Sequence, residues 1–278
     1  MMKGTLPLLC SIQFLLLSGT IQPTLADDSR APSARVISST RKFDHTHQAW
    51  TILLQKHVRL NGPASTVDYK SLKNDPKELK EYLGTLEAVA QSEFNRFSEN
   101  EKLAFLINAY NAFTVKLIVD HYPVKSIKDI GSVFSSPWKK KFFRLFGDER
   151  HLDNIEHDMI RKSFNEPRIH FAVVCASIGC PALRNEAFVA ANIEKQLEDA
   201  AQNFLSDKSR NRYLPESKKL ELSSIFKWYG SDFPKKYGSL ETFLAPRLTS
   251  NPEHQSIIRE KKAVISYLDY DWSLNEEK

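Results

Sequence analysis

The sequence predicts an α+β fold, a mostly helical single domain in which a buried central helix (about residues 98–120) packs on a small, mainly antiparallel sheet. Residues 98–120 are apolar nearly all round, which is typical of a helix that other elements enclose. Short strand patterns, with a tight turn at Gly147 and Asp148, indicate the sheet. Because neither an internal repeat nor a linker divides the chain, we expect one globular domain over residues 44–278.

The first 26 residues have the pattern of a secretory signal peptide. A basic start with Lys3 precedes an apolar run over residues 6–17, and small residues lead up to Ala26. The run is shorter than the roughly 20 apolar residues that a spanning helix needs, so we expect cleavage after Ala26 and no stable membrane span afterwards. The protein is therefore predicted to be exported, to the periplasm or beyond the cell, with residues 27–43 as a flexible mature N-terminus.

Charge and motifs narrow the function classes. The formal charge is +5 and its signs are mixed along the chain, which argues against a nucleic-acid partner. The sequence contains no Gly-rich dinucleotide motif, no P-loop, no Gly-x-Ser-x-Gly elbow and no His-Glu-x-x-His. We therefore expect no cofactor and no metal site, and an unidentified peptide or protein remains the partner to consider.

The central helix carries two buried amides. Ser98 and Glu101 form a capping-box pattern at its start, and Asn108 and Asn111 lie one turn apart inside it. Buried amides need hydrogen-bond partners. They either tie down loops that pack over the helix or contribute to a site.

A second helix, predicted over residues 154–164, places Glu156 inside its apolar arc and His157 at the edge of that arc. A carboxylate in a buried stripe needs a partner. It is either a structural pair with Arg161, Arg168 or a histidine, or an active-site carboxylate whose burial tunes its acidity.

The segment that follows is predicted as a buried strand, residues 169–174, ending in a small-residue loop with two thiols. A regular strand would put the α-carbons of His170 and Cys175 roughly 16 Å apart, on opposite faces. Pro181 favours the first turn of a helix, which would place Cys180 near an N-cap where the helix field stabilises a thiolate. His157 is then the easier histidine to place against the loop.

The cysteines allow two interpretations. With the signal peptide removed, Cys175 and Cys180 are the remaining pair, in a compartment where disulfides persist. One of them is a nucleophile paired with a histidine, or the two form a bridge.

Several blocks, in this order, resemble the family known as domain of unknown function 547. They are Leu-Ile-Asn-Ala-Tyr-Asn-Ala at 106–112, Leu-Asp-Asn-Ile-Glu-His at 152–157 with Arg161, Pro-Arg-Ile-His-Phe at 167–171, Cys-Ala-Ser-Ile-Gly-Cys-Pro at 175–181, and Phe-Lys-Trp-Tyr at 226–229 with Asp232 and Phe233. The resemblance covers about residues 67–248. It implies a shared polar set, and an association with papain-type or transglutaminase-type thiol folds. The set is Asn108, Asn111, Glu156, His157, Arg161, Arg168, His170, Cys175 and Cys180.

The leading functional hypothesis is an exported thiol-dependent hydrolase or acyltransferase that acts on peptide or amide bonds through a Cys-His-Glu type site. Cys180 would attack, His157 would be the base, and Glu156 with Asn108 or Asn111 would orient or stabilise. The further catalytic candidates are Cys175 and His170, and the binding candidates are Asn108, Asn111, Arg161, Arg168 and Ser177.

The alternative hypothesis is a non-enzymatic periplasmic binding or scaffold domain with a structural Cys175–Cys180 disulfide. A redox role ranks lowest, because the spacing is not Cys-x-x-Cys.

Overall fold

The computed structural model describes residues 42–131 and 135–277, so the predicted signal peptide (1–26) and residues 27–41 of the predicted flexible N-terminus lie outside it. The α-helices, in chain order, are α1 (Gln48–His57), α2 (Tyr69–Asn74), α3 (Lys77–Glu87), α4 (Gln91–Phe94), α5 (Glu99–His121), α6 (Arg161–Ser163), α7 (Ile193–Ser206), α8 (Ser224–Tyr229), α9 (Pro234–Tyr237), α10 (Leu240–Leu248) and α11 (Pro252–Arg259). The strands are β1 (Val58–Asn61), β2 (Ala64–Val67), β3 (Phe143–Leu145), β4 (Asp148–Arg150), β5 (Arg212–Leu214), β6 (Lys219–Ser223) and β7 (Val264–Leu268). This content confirms the mostly helical α+β class.

Helix α5 is the centre of the fold, as predicted. Its N-terminus carries the expected capping box, in which the Ser98 hydroxyl accepts from the Glu101 amide and the Glu101 side chain accepts from the Ser98 amide. Among the described residues it is also the one helix with the length and apolarity to cross a membrane. Most of it is buried by other elements, which is the packing of a core helix.

The strands form three small sheets. Strands β1 and β2 pair antiparallel, and so do β3 and β4, whose turn uses Phe146 at φ 57° and Gly147 at φ 86°. The third sheet has the order β5-β6-β7, in which β5 and β6 are antiparallel and β6 and β7 are parallel. The predicted antiparallel character therefore dominates, and the hairpin at Gly147 is confirmed.

Two hydrophobic cores share one body, which starts at Lys42. The larger core surrounds α5 with α1 and α3, and the smaller one joins α7, α8, α10 and β6. Phe171 belongs to the smaller core while its neighbours Ile169 and Ala172 belong to the larger. The segment before the cysteine loop (residues 175–180) thus lies between the two cores.

The predicted strand over residues 169–174 is wrong. The chain there forms a 3₁₀ helix, Pro167–Phe171, in which proline takes the first turn and the Glu166 side chain accepts from the Arg168 amide at 3.1 Å. All five residues of this turn are buried. A short apolar run has the same pattern whether it is a buried strand or a buried helical turn, so periodicity could not separate the two.

The predicted placement of Cys180 at a helix N-cap is also wrong. Residues 181–189 contain no helix, and α7 begins only at Ile193. Side chains of two helices capture the backbone of this stretch: Asn108 accepts from the Phe188 amide at 3.0 Å, and Gln196 accepts from the Val189 amide at 2.9 Å. Amides held in this way are unavailable to an early helix.

The segment with Glu156 is helical as predicted, but its first part, Asn154–Ile160, is a π-helix that continues into α6. Glu156 is buried, as its place in the apolar arc indicated. A π-helical turn is frequent at functional sites.

The two buried asparagines of α5 hold loops. Asn108 donates to the Phe188 carbonyl at 2.7 Å in addition to accepting from its amide. Asn111 donates to the Ala172 carbonyl at 2.9 Å and accepts from the Val174 amide at 2.9 Å. Both amides are therefore occupied by backbone, and Asn111 fixes the chain immediately before Cys175.

We expect Asn111→Ala to lower the free energy of unfolding by about 2–4 kcal/mol, because it leaves two buried backbone groups without partners. Urea unfolding followed by circular dichroism measures the change. The matched control is Asn100→Ala, an exposed asparagine of the same helix, for which we expect a change within about 0.5 kcal/mol. Equal effects at the two positions would contradict the structural role of Asn111.

Candidate functional site

One cavity of about 330 Å³ brings together all five predicted catalytic residues. They are Glu156, His157, His170, Cys175 and Cys180. They come from the π-helix, the 3₁₀ turn and the loop after it, so three successive local structures line the same cavity.

The cysteine loop has an unusual backbone and a close neighbour. Ala176 has φ 58°, in the left-handed region that residues other than glycine rarely enter and that is often found at functional sites. At Gly179 a β-carbon would lie 3.0 Å from the Asp271 carbonyl oxygen and 3.0 Å from the Tyr270 ring. The glycine therefore permits the C-terminal segment, residues 270–273, to approach the loop.

That C-terminal segment pairs with the loop through its backbone. The Ile178 amide donates to the Ser273 carbonyl at 2.8 Å, and the Gly179 amide donates to the Asp271 carbonyl at 2.8 Å. The segment thereby delivers the Tyr270 hydroxyl to the two thiols.

The Cys180 sulfur accepts from two donors and contacts a third polar group, the Ser177 hydroxyl, which itself donates to Tyr270. The Cys175 amide lies 3.0 Å from it, the Tyr270 hydroxyl 3.1 Å and the Ser177 hydroxyl 3.4 Å. Burial raises the pKa of the Cys180 thiol, but its hydrogen bonds with Cys175, Ser177 and Tyr270 outweigh burial and bring the pKa to about 6. These local hydrogen bonds take the place of the helix field expected from sequence.

The partner thiol behaves in the opposite way. The hydrogen bond with Cys180, followed by burial, raises the pKa of Cys175 well above its usual range. Both cysteines are free thiols in the structure. Of the two, Cys180 is thus the thiolate and the better nucleophile.

The contacts of His170 leave its Nδ1 able to accept a proton. Its Nε2 lies 2.8 Å from the Asp232 Oδ2, so the N–H at this position donates to the carboxylate, and its ring stacks on Tyr229 with the centroids 4.0 Å apart. Nδ1 has no hydrogen-bond partner among the described residues. Burial lowers the pKa of His170 despite the bond to Asp232, which leaves a neutral ring with a free lone pair on Nδ1.

His157 is held differently. Arg161 Nη1 lies 3.2 Å from its Nδ1, and because a guanidinium can only donate, this nitrogen accepts. Its Nε2 lies 3.8 Å from the Asp153 Oδ1. The lone pair of His157 is therefore occupied, whereas that of His170 is free.

Asp232 connects the two histidine environments. Arg161 donates two hydrogen bonds to the Asp232 carboxylate, from Nε to Oδ2 at 2.7 Å and from Nη2 to Oδ1 at 2.8 Å. The hydrogen bond from His170, followed by those from Arg161, holds the pKa of Asp232 far below its usual range. Asp232 is consequently ionised and fixes the orientation of His170.

None of the five predicted binding residues lines the cavity. Asn108 and Asn111 hold loops, and Arg168 is buried in ion pairs with Glu166, Glu194 and Glu198. Arg161 acts on His157 and Asp232, and Ser177 contacts both sulfur atoms.

Aromatic side chains outside the predicted site residues form much of the cavity wall, although the binding or scaffold alternative assigns the aromatic segments near Trp138 and Trp228 to partner contacts. Three of the chain's four tryptophans and three tyrosines line it: Tyr110, Trp138, Trp228, Tyr229, Tyr270 and Trp272. The Tyr229 hydroxyl is hydrogen-bonded to Glu156. A high density of aromatic residues after the last strand was the available signal. Within residues 42–131 and 135–277, no cluster of three or more His, Cys, Asp or Glu side chains is arranged to hold a metal ion.

Comparison with known proteins identifies the central part of the chain. Residues 94–205 match the model of DUF547, described as a protein of unknown function. This stretch includes α5, the π-helix and both cysteines, while Asp232 and Tyr270 follow it. No curated protein and no solved structure matches, so the association with papain-type or transglutaminase-type folds stays a prediction. The chain therefore contains a match to the DUF547 domain over residues 94–205.

Proposed function

We propose that this protein is an exported thiol-dependent hydrolase or acyltransferase that acts on peptide or amide bonds, with Cys180 as nucleophile and His170 as base. The observation that carries the proposal is the joint placement of the two groups: a thiol whose sulfur accepts from the Cys175 amide and the Tyr270 hydroxyl, and an imidazole with a free Nδ1, line the same cavity. Nucleophile, base and orienting carboxylate are then Cys180, His170 and Asp232.

In the first step the Cys180 thiolate attacks the substrate carbonyl carbon, and Nδ1 of His170 takes up a proton from solvent. The bond between the acyl carbon and the leaving amine breaks, and the imidazolium gives that proton to the amine. A thioester on Cys180 remains. Asp232 stabilises the imidazolium through its bond to Nε2.

In the second step water or an acceptor amine attacks the thioester. The attacking group gives its proton to Nδ1 of His170, the carbon–sulfur bond breaks with Cys180 leaving as the thiolate, and His170 releases the proton to solvent. In this scheme Asp232 takes the orienting role first considered for Glu156. Glu156 instead holds Tyr229, the ring on which His170 stacks.

The competing function is a binding or scaffold domain with a Cys175–Cys180 bridge. The hydrogen bonds around Cys180 favour the enzyme, because a bridge would remove the charge that these donors stabilise. A count of free thiols on protein purified from its native compartment separates the two: the enzyme requires two free thiols, and the bridged scaffold has none.

Export is part of the proposal and rests on the residue pattern at positions 1–26. We expect N-terminal sequencing of the exported protein to begin at Asp27. A large residue at the cleavage position, as in Ala26→Arg, should leave the precursor uncleaved. A mature protein that retains Met1 would contradict the export signal.

We expect the rate of Cys180 alkylation by iodoacetamide to reach half of its maximum near pH 6, because only the thiolate reacts and the pKa of Cys180 is about 6. An ordinary cysteine has a pKa of about 8.5. Peptide mapping by mass spectrometry follows both sites in one sample, and Cys175 should react only at much higher pH.

Tyr270→Phe tests the cause of that shift. It removes the hydroxyl 3.1 Å from the Cys180 sulfur while keeping the ring, so the midpoint of the alkylation profile should rise. The matched control is Tyr267→Phe, at a tyrosine that is 42% exposed, and it should leave the midpoint unchanged. Identical profiles for the two variants would remove Tyr270 from the explanation.

The role of His170 is testable with p-nitrophenyl acetate. We expect His170→Asn to slow turnover of the acyl-enzyme by about 10²-fold or more, the usual contribution of a general base. Stopped-flow measurement of p-nitrophenolate release separates the initial burst from steady turnover. His157→Asn is the comparison, and a larger loss there than at His170 would assign the base to His157.

A further inference from the structure

The cavity presents a continuous aromatic wall. Trp228, Tyr270 and Trp272 contact one another, with ring centroids 4.9 Å apart for Trp228 and Tyr270, 5.7 Å for Trp228 and Trp272, and 4.5 Å for Tyr270 and Trp272. Trp138 extends the wall, at 5.7 Å from Trp272. Faces of indole and phenol rings attract cations that lie within about 6 Å of their centroids.

One ring of this wall already interacts with a cation. The Lys128 ammonium lies 4.0 Å from the centroid of Trp272, although Lys128 does not itself line the cavity. The indole of Trp272 is therefore placed where a positive charge is stabilised.

Acidic groups contribute to the cavity wall. Asp153 and Glu156 supply two carboxyl side chains, Cys180 supplies a thiolate, and His170 is neutral. Burial raises the pKa of Asp153, so this carboxylate is poorly hydrated and would gain from a cationic partner.

No Lys or Arg among the described residues lines this cavity. The Arg161 guanidinium, which contacts His157 of the cavity wall, is held by both oxygens of Asp232. The negative groups that line the cavity thus lack a matching cation from its wall.

We infer that the substrate of this cavity carries a cationic group, an ammonium or a guanidinium, close to the acyl group that Cys180 attacks. This inference rests on the proposed function of the same site. The aromatic wall would hold the cation by its ring faces, and Asp153 and Glu156 would balance its charge. An amine that accepts the acyl group fits as well, since its N–H can donate to the free Nδ1 of His170.

Three methanethiosulfonate reagents test the charge preference directly on the unmodified protein. One is cationic (2-trimethylammonioethyl), one anionic (2-sulfonatoethyl) and one neutral (methyl). In each case the Cys180 thiolate attacks the sulfenyl sulfur, a mixed disulfide forms and methanesulfinate leaves. Mass spectrometry gives the rate at Cys180, and each rate is divided by that of the same reagent with 2-mercaptoethanol.

We expect the normalised rate of the cationic reagent to exceed that of the anionic reagent at least about tenfold, the lower end of what charged clefts achieve. Equal normalised rates for the cationic and anionic reagents would overturn the inference. If the neutral reagent still reacted fast, Cys180 would remain a nucleophile and the proposed function would stand. A Cys180 that fails to react even with the neutral reagent would overturn the proposed function and this inference together.

Variants locate the source of the preference. Glu156→Gln and Asp153→Asn should each lower the ratio of cationic to anionic rates several-fold, and Trp228→Leu should lower the ratio of cationic to neutral rates. Asp271→Asn is the control, because it removes the same charge from an exposed carboxylate that follows Tyr270 and does not line the cavity. An equal loss in Asp271→Asn would assign the preference to the overall field of the protein.

Discussion

The hydrogen bonds that close the cysteine loop on itself are the constraint from which the site follows. The Cys175 amide points at the Cys180 sulfur at 3.0 Å, and the Cys180 amide donates to the Ser177 carbonyl at 3.0 Å. This turn is fixed from two sides. Asn111 holds the chain before it, and the paired C-terminal segment brings Tyr270 over Gly179. The backbone amide of Cys175 and the Tyr270 hydroxyl thereby stabilise negative charge on the Cys180 sulfur.

Asp232 is the corresponding constraint on the two histidines of the cavity. It receives Nε2–H of His170 and both ends of the Arg161 guanidinium. Arg161 also donates to Nδ1 of His157, so a single ion pair determines which histidine keeps a free lone pair. Both imidazoles line the cavity but differ in chemistry, and the difference comes from their partners.

Local signals predicted what depends on local interactions. The capping box and the apolar run fixed the position of α5, because a cap and a periodic face act within a few residues. The burial of Glu156 followed from the same reasoning. The 3₁₀ turn before the loop did not, since apolar composition leaves the backbone conformation open. Asp232 and Tyr270 lie 62 and 90 residues from His170 and Cys180, and no local pattern reports which distant side chain completes a site.

The environment of the thiols bears on how the site would operate in the oxidising compartment that the proposed export implies. The donors around Cys180 interact most strongly with a charged sulfur, and that charge exists only in the reduced state. Interactions that stabilise a reduced thiolate oppose formation of a disulfide, so the pair is harder to oxidise than two unperturbed cysteines at the same spacing. The same donors lower the pKa of Cys180 and thereby increase the fraction that can attack a substrate. Reactivity of Cys180 and resistance of the pair to oxidation thus have one physical origin.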